Sequence, residues 1–153
     1  MRDYSLSYLA ALGSAALLAG ALFFQYVVGL APCELCIWQR WPHLAAVVLG
    51  AVVFFLPSRI VVLAGAAAAG VAGVLGFYHT GVERGWFAGP QACSGPTDIS
   101  AMSAEQLLNH VLAAPVVRCT DVAWEMLGLS MASWNAILSF GLVAVWLLAL
   151  RRG

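Results

Sequence analysis

Four stretches of this chain run almost without charge, at about 6–30, 38–56, 60–78 and 131–150. An α-helix needs ~20 mostly apolar residues to cross the hydrocarbon core of a bilayer. The pattern therefore predicts four spanning helices. The first run exceeds the ~7–15 apolar residues of a signal-peptide core, and Asp3 offsets Arg2, so an uncleaved first span is expected. The expected fold is an all-α membrane protein. It is a four-helix bundle in one integral membrane domain, 1–153, with loops at about 31–37 and 79–130.

Small residues mark the faces on which such helices would pack. Gly65, Ala69, Gly73 and Gly76 recur along the third run, and the first holds Ala16 and Gly20 four apart. Close helix approach in lipid favours this spacing. Tyr26, Trp38, Trp41, Tyr78 and Trp134 gather at one boundary, with Tyr4, Tyr8 and Trp146 at the other, as two interfacial aromatic belts would. The long loop opens with Gly85, Gly89, Pro90, Gly95 and Pro96. Ser103 and Gln106 then form a capping box ahead of Leu107, Leu108, Val111 and Leu112, and Pro115 closes this short amphipathic helix. It would lie along the membrane surface or cover the end of the bundle.

Composition agrees: 63% of residues are hydrophobic and 9% charged, against about a quarter charged in a soluble domain. Charge then sets orientation. Arg2, Arg59, Arg151 and Arg152 against Asp3 give one face +3. On the other, Arg40, Arg84 and Arg118 against six acids give −3. The positive-inside rule places both termini in the cytoplasm and all four cysteines outside. Disulfides persist in that oxidising compartment. No nucleic-acid partner is expected.

The four cysteines allow three pairings. Cys33 with Cys36 closes the smallest loop, which leaves Cys93 with Cys119. A Cys-x-x-Cys pair forms an easily reduced disulfide, although a purely structural one is the alternative. Structural zinc usually takes two close ligand pairs. Cys93 and Cys119 are far apart with only His110 between them, so no metal is expected. Cys33 follows Pro32 at the start of a helix, whose positive end favours thiolate. Arg40 lies four residues after Cys36 on the same face. An arginine at the edge of a span either snorkels to headgroups or serves a strongly accepting group.

The run Pro-Cys-Glu-Leu-Cys-Ile-Trp-Gln-Arg, Pro32 to Arg40, resembles the quinone-reducing motif of the bacterial disulfide bond formation protein B family (DsbB). The resemblance covers nearly the whole chain. It includes Tyr78-His79-Thr80 through Glu83, and Gly128-Leu129-Ser130-Met131 ahead of the last span. It implies a thiol:quinone oxidoreductase of the bacterial inner membrane. Cys33 and Cys36 would pass electrons to ubiquinone or menaquinone, with Cys36 nearest the ring. Cys93 and Cys119 would take them from a periplasmic DsbA-like thiol oxidase, with Cys93 in the mixed disulfide. Arg40, His79 and Glu83 are the expected quinone-binding residues. Glu83 stands where the best-known member has glutamine, so it is either a quinone contact or a solvated acid. His79 approaches the quinone or sits in the interface.

Gln25 and Asn135 are expected to make interhelical hydrogen bonds, His43 to pack or hydrogen-bond, and His110 to be solvated. Two other classes compete: a haem-binding anchor using His43 and His79, and a structural subunit stapled by non-catalytic disulfides.

Overall fold

The computed structural model describes residues 4–90, 103–113 and 117–152. Cys93, Gly95, Pro96 and Pro115 lie outside the described residues, as does the side chain of His110. Four described helices are long and apolar enough to span a membrane: α1 (Ser5–Tyr26), α2 (Glu34–Phe55), α3 (Arg59–Glu83) and α5 (Met131–Arg152). They form a closed ring in which α1 packs on α2, α2 on α3, α3 on α5 and α5 on α1. A short helix, α4 (Ala104–Ala113), and a hairpin of β1 (Glu125–Met126) and β2 (Leu129–Ser130) belong to the long loop between α3 and α5.

Local chemistry sets the helix ends. The first apolar run extends to about residue 30, but α1 stops at Tyr26, and Gly29 (φ +83°) turns the chain back toward the bundle. Pro32 cannot donate a backbone hydrogen bond, so helix α2 starts just beyond it. Cys33 is its N-cap in extended conformation, and its Sγ accepts the N–H of Cys36 at 3.3 Å. The second helix thus begins four residues before its apolar run and carries Cys36 in its first turn. Likewise α3 continues past Tyr78 to Glu83, so His79, Thr80 and Glu83 project from a helix rather than a loop. Gly85 (φ +71°) follows its end, and the N–H groups of Trp86 and Phe87 return to the Gly81 carbonyl at 2.7 and 3.2 Å. Leu127 (φ 56°) and Gly128 (φ 74°) form a two-residue hairpin turn of the kind that needs positive φ at both positions. The capping box is present: Gln106 N–H reaches Ser103 Oγ, and Ser103 N–H reaches Gln106 Oε1.

The small-residue face of α3 meets α5. A Cβ at Gly65 would lie 2.6 Å from the Trp146 ring, and one at Gly76 would lie 2.9 Å from the Ala136 backbone nitrogen. Two expectations change here. Trp146 and Tyr4 are buried in the core at the end opposite the long loop, with Ala10, Val53, Val62 and Ala69, rather than anchoring at the lipid surface. A Cβ at Gly20 would meet nothing within 4 Å, and this glycine, with Ala16, lines a cavity instead of a helix contact. Tyr26, Trp38 and Trp41 are exposed, as interfacial aromatics would be.

Candidate functional site

The first turn of α2 and the last two turns of α3 meet at the loop-bearing end of the bundle. Cys33 and Cys36 are free thiols there, with Cys33 Sγ donating to Cys36 Sγ at 2.9 Å. Cys33 is buried and Cys36 half-buried. The hydrogen bond to Cys36 pushes the Cys33 thiol well above its usual range, and burial adds to the shift. The hydrogen bond runs from Cys33 to Cys36, which leaves Cys36 Sγ as the acceptor of the pair.

His79 stands behind the pair. Its Nε2 is 3.5 Å from Cys33 Sγ and 3.9 Å from Glu83 Oε1. Glu83 is not a solvated acid at a helix end: its side chain is 7% exposed, and its Oε2 accepts the Ser130 hydroxyl from β2. Ser130 also caps α5 by accepting the Ser133 N–H at 3.2 Å. Thr80 and Ser133 close this polar seam with hydroxyls 3.1 Å apart. The last turn of α3, the hairpin and the start of α5 are thereby tied together.

Arg40 lies one turn beyond Cys36. One guanidinium nitrogen, Nη1, donates to Gln25 Oε1 on α1, which makes Gln25 an interhelical partner. Its Nε is buried without a partner among the described residues. Asn135 joins α5 to α2 across the bundle, donating to Gln39 Oε1 at 2.7 Å and lying 2.9 Å from His43 Nε2. Both imidazoles, His43 and His79, are thus engaged in hydrogen bonds between helices.

Cys33, Cys36, Arg40, His79 and Glu83 line one cavity of about 440 Å³. Phe24, Leu17 and Ala21 of α1 and Met131 and Leu138 of α5 make much of the remaining wall apolar. Its size falls in the range of small-molecule sites, about 300–1,000 Å³, and its polar lining comes from α2, α3 and α5 together with Arg118 and Asp121 of the long loop. The donor set suits a ring with accepting oxygens: a buried, unpartnered Arg40 Nε sits beside the dithiol. Cys33, Cys36 and His79 also present ligand atoms within 4.8 Å of one another, a spacing that one soft metal ion would match.

Cys119 is disulfide-bonded and fully buried, in one cluster with Cys33, Leu35 and Val82. The two cysteine-bearing loops therefore meet beside the first turn of α2. Gln39 and Ser130 stand in the sequence only as members of longer motifs. Their one local signal is a polar side chain adjoining an apolar span.

Four spanning helices with a free dithiol in the wall of a largely apolar cavity define a multi-pass membrane protein equipped for thiol redox chemistry. A family model described as Disulfide bond formation protein DsbB matches residues 4–149. Among similar proteins, each named Disulfide bond formation protein B, one from Dechloromonas aromatica (strain RCB) is 35% identical over 143 residues, covering 87% of this chain and 83% of that protein. One from Shewanella sp. (strain MR-4) is 32% identical, covering 93% and 84%. One from Xanthomonas oryzae pv. oryzae (strain MAFF 311018) is 35% identical, covering 90% and 84%. No solved structure matches the chain. The chain belongs to the DsbB family of disulfide bond formation proteins, and its role is that of an oxidoreductase.

Proposed function

We propose that this protein reoxidises the dithiol of a soluble, periplasmic DsbA-like thiol oxidase and delivers the electrons to a membrane quinone, ubiquinone or menaquinone. The observation that carries this reading is the free Cys33–Cys36 dithiol in the wall of an apolar cavity that also contains Arg40 and its unpartnered Nε. Closing the Cys33–Cys36 disulfide releases two electrons and two protons, which a bound quinone would take up in becoming quinol. Arg40 would hold an accepting oxygen of the ring, while Glu83 and His79 line the same cavity.

The second cysteine pair, Cys93 with Cys119, would face the soluble partner. Thiol exchange proceeds through attack of a thiolate on a disulfide sulfur. The shared burial of Cys119 and Cys33 supports exchange between the two pairs without a long excursion of either loop. The partner's dithiol is oxidised as the Cys93–Cys119 bond is reduced, and that pair is reoxidised at the expense of a Cys33–Cys36 disulfide.

The arginine distribution supports cytoplasmic termini in a bacterial inner membrane, with the cysteines on the periplasmic side. With the four native cysteines replaced by alanine, a Ser58→Cys protein should then label only from the cytoplasmic face, and labelling from outside would reverse the orientation. The activity itself is tested with purified protein, a reduced thioredoxin-fold dithiol substrate and decylubiquinone followed by its absorbance. The expected result is stoichiometric loss of quinone and of substrate thiols, abolished by Cys36→Ser. Substrate oxidation that proceeds without quinone loss, or survives Cys36→Ser at the parent rate, would overturn the electron route.

A further inference from the structure

Polar side chains inside a membrane bundle hydrogen-bond across helices. Here five of them join three helices in one chain: His43 and Gln39 from α2, Asn135 and Ser139 from α5, and His79 from α3. Gln39 is 6% exposed and His79 4%. Backbone carbonyls fix the direction of both amides. Gln39 Nε2 donates to the Leu35 carbonyl at 3.0 Å, so the amino group is on that side, and the same nitrogen lies 2.8 Å from His79 Nδ1. Asn135 Nδ2 donates to the Ala72 carbonyl at 3.4 Å and to Gln39 Oε1 at 2.7 Å. Asn135 Oδ1 therefore receives the Nε2–H of His43 at 2.9 Å.

A neutral imidazole has one donor and one acceptor nitrogen, and the group bonded to one nitrogen decides what the other does. Nδ1 of His79 faces an amide N–H and is the acceptor. Its proton is then on Nε2, which faces Cys33 Sγ at 3.5 Å. From one end to the other, the donors all run the same way: His43 to Asn135, Asn135 to Gln39, Gln39 to His79, His79 to Cys33, and Cys33 to Cys36.

We propose that Gln39, held by Asn135, is a positioning residue that fixes His79 as the Nε2–H tautomer and so directs a donor at Cys33, leaving Cys36 as the terminal acceptor where negative charge resides. This deepens the redox reading above and rests on the dithiol being the reacting pair. It gives Gln39 a role distinct from Arg40, although the two are neighbours in sequence. Arg40 serves the cavity, whereas Gln39 acts through His79 on the sulfurs.

The test needs no quinone. Long-range proton–nitrogen NMR of ¹⁵N-histidine-labelled, reduced protein in nanodiscs reports which His79 nitrogen carries the proton, assigned by its loss in His79→Asn. The parent should show bare Nδ1 and protonated Nε2. Gln39→Leu removes the donor and should give a mixture of tautomers. Gln39→Glu puts a carboxylate acceptor against Nδ1 and should invert the tautomer. Iodoacetamide alkylation of Cys36, which tracks thiolate, should slow about fivefold in Gln39→Leu, the effect of about one hydrogen bond. If Gln39→Leu fails to fold, the inversion in Gln39→Glu carries the test. An Nδ1–H parent, an unchanged tautomer in Gln39→Glu, or parent-rate alkylation of a folded Gln39→Leu protein would each overturn the proposal. Failure of the quinone reading would appear separately, as absence of quinone loss in the parent protein.

Discussion

Removing one hydroxyl at Ser130 should loosen the whole loop-bearing end of the bundle. Ser130 is 7% exposed and does two jobs with a single oxygen. It donates to Glu83 Oε2 across to α3, and it accepts the Ser133 N–H as the N-cap of α5. A hydrogen bond to a charged group contributes about 1.5–3 kcal/mol. Loss of a serine cap costs about 0.5–2 kcal/mol. The two share an atom, so they do not add fully, and Ser130→Ala should cost about 2–4 kcal/mol. Titration with a denaturing detergent, followed by near-UV circular dichroism, measures that cost. Repeating it in a Glu83→Gln background separates the parts. Glutamine there keeps an acceptor without the charge, so the same Ser130→Ala change should cost nearer the cap alone. A cost below about 0.5 kcal/mol, the range of an ordinary surface substitution, would refute the double role. Equal costs in the two backgrounds would refute the coupling to Glu83.

Two further outcomes follow from the packing and the cavity. Arg40→Ala should slow quinone reduction at least tenfold while mixed-disulfide formation with the soluble substrate keeps its rate, and Arg40→Lys should recover only part because lysine lacks the planar fork; equal loss in both steps, measured by quinone absorbance and non-reducing gels, would mark a structural arginine. Gly76→Val forces a side chain onto the Ala136 and Ala132 backbone, which cannot step aside, and should cost about 1–3 kcal/mol in detergent unfolding, whereas Gly20→Ala, with open space before it, should unfold like the parent.

The spans are legible in the sequence because a bilayer imposes a length and a composition that a 153-residue chain either meets or does not. What hydropathy does not encode is which apolar side chain faces lipid and which faces another helix, since both surroundings are apolar. Trp146 is the consequence. Its position near the end of a span suggests an interfacial anchor, yet Gly65 opposite provides the space that takes its ring into the core. The same limit applies to Ala16 and Gly20, whose small size leaves room for a cavity rather than for a neighbouring backbone. Helix ends are displaced for a different reason. Hydropathy ends where polar residues begin, but backbone hydrogen bonding continues, so α3 carries His79 and Glu83 onward as ordered helical side chains.

The site divides along a similar line. Cys33, Cys36 and Arg40 lie within two turns of one helix, where sequence spacing is itself geometry, and the structure places all three on the same cavity. His79 and Glu83 line the same cavity, but the spacing of a helix in isolation does not reveal what occupies the opposite wall. Gln39, Asn135 and His43 come from faces that meet only after α2, α3 and α5 have packed. Each looks in sequence like an isolated polar residue that any interhelical bond would satisfy. The backbone carbonyls of Leu35 and Ala72 turn these separate bonds into a directed series, because each pins one amide and leaves a single orientation for the next. A polar residue in a span therefore announces that a partner exists, whereas the direction of its hydrogen bond, and with it the protonated nitrogen of His79, is a property of the assembled bundle.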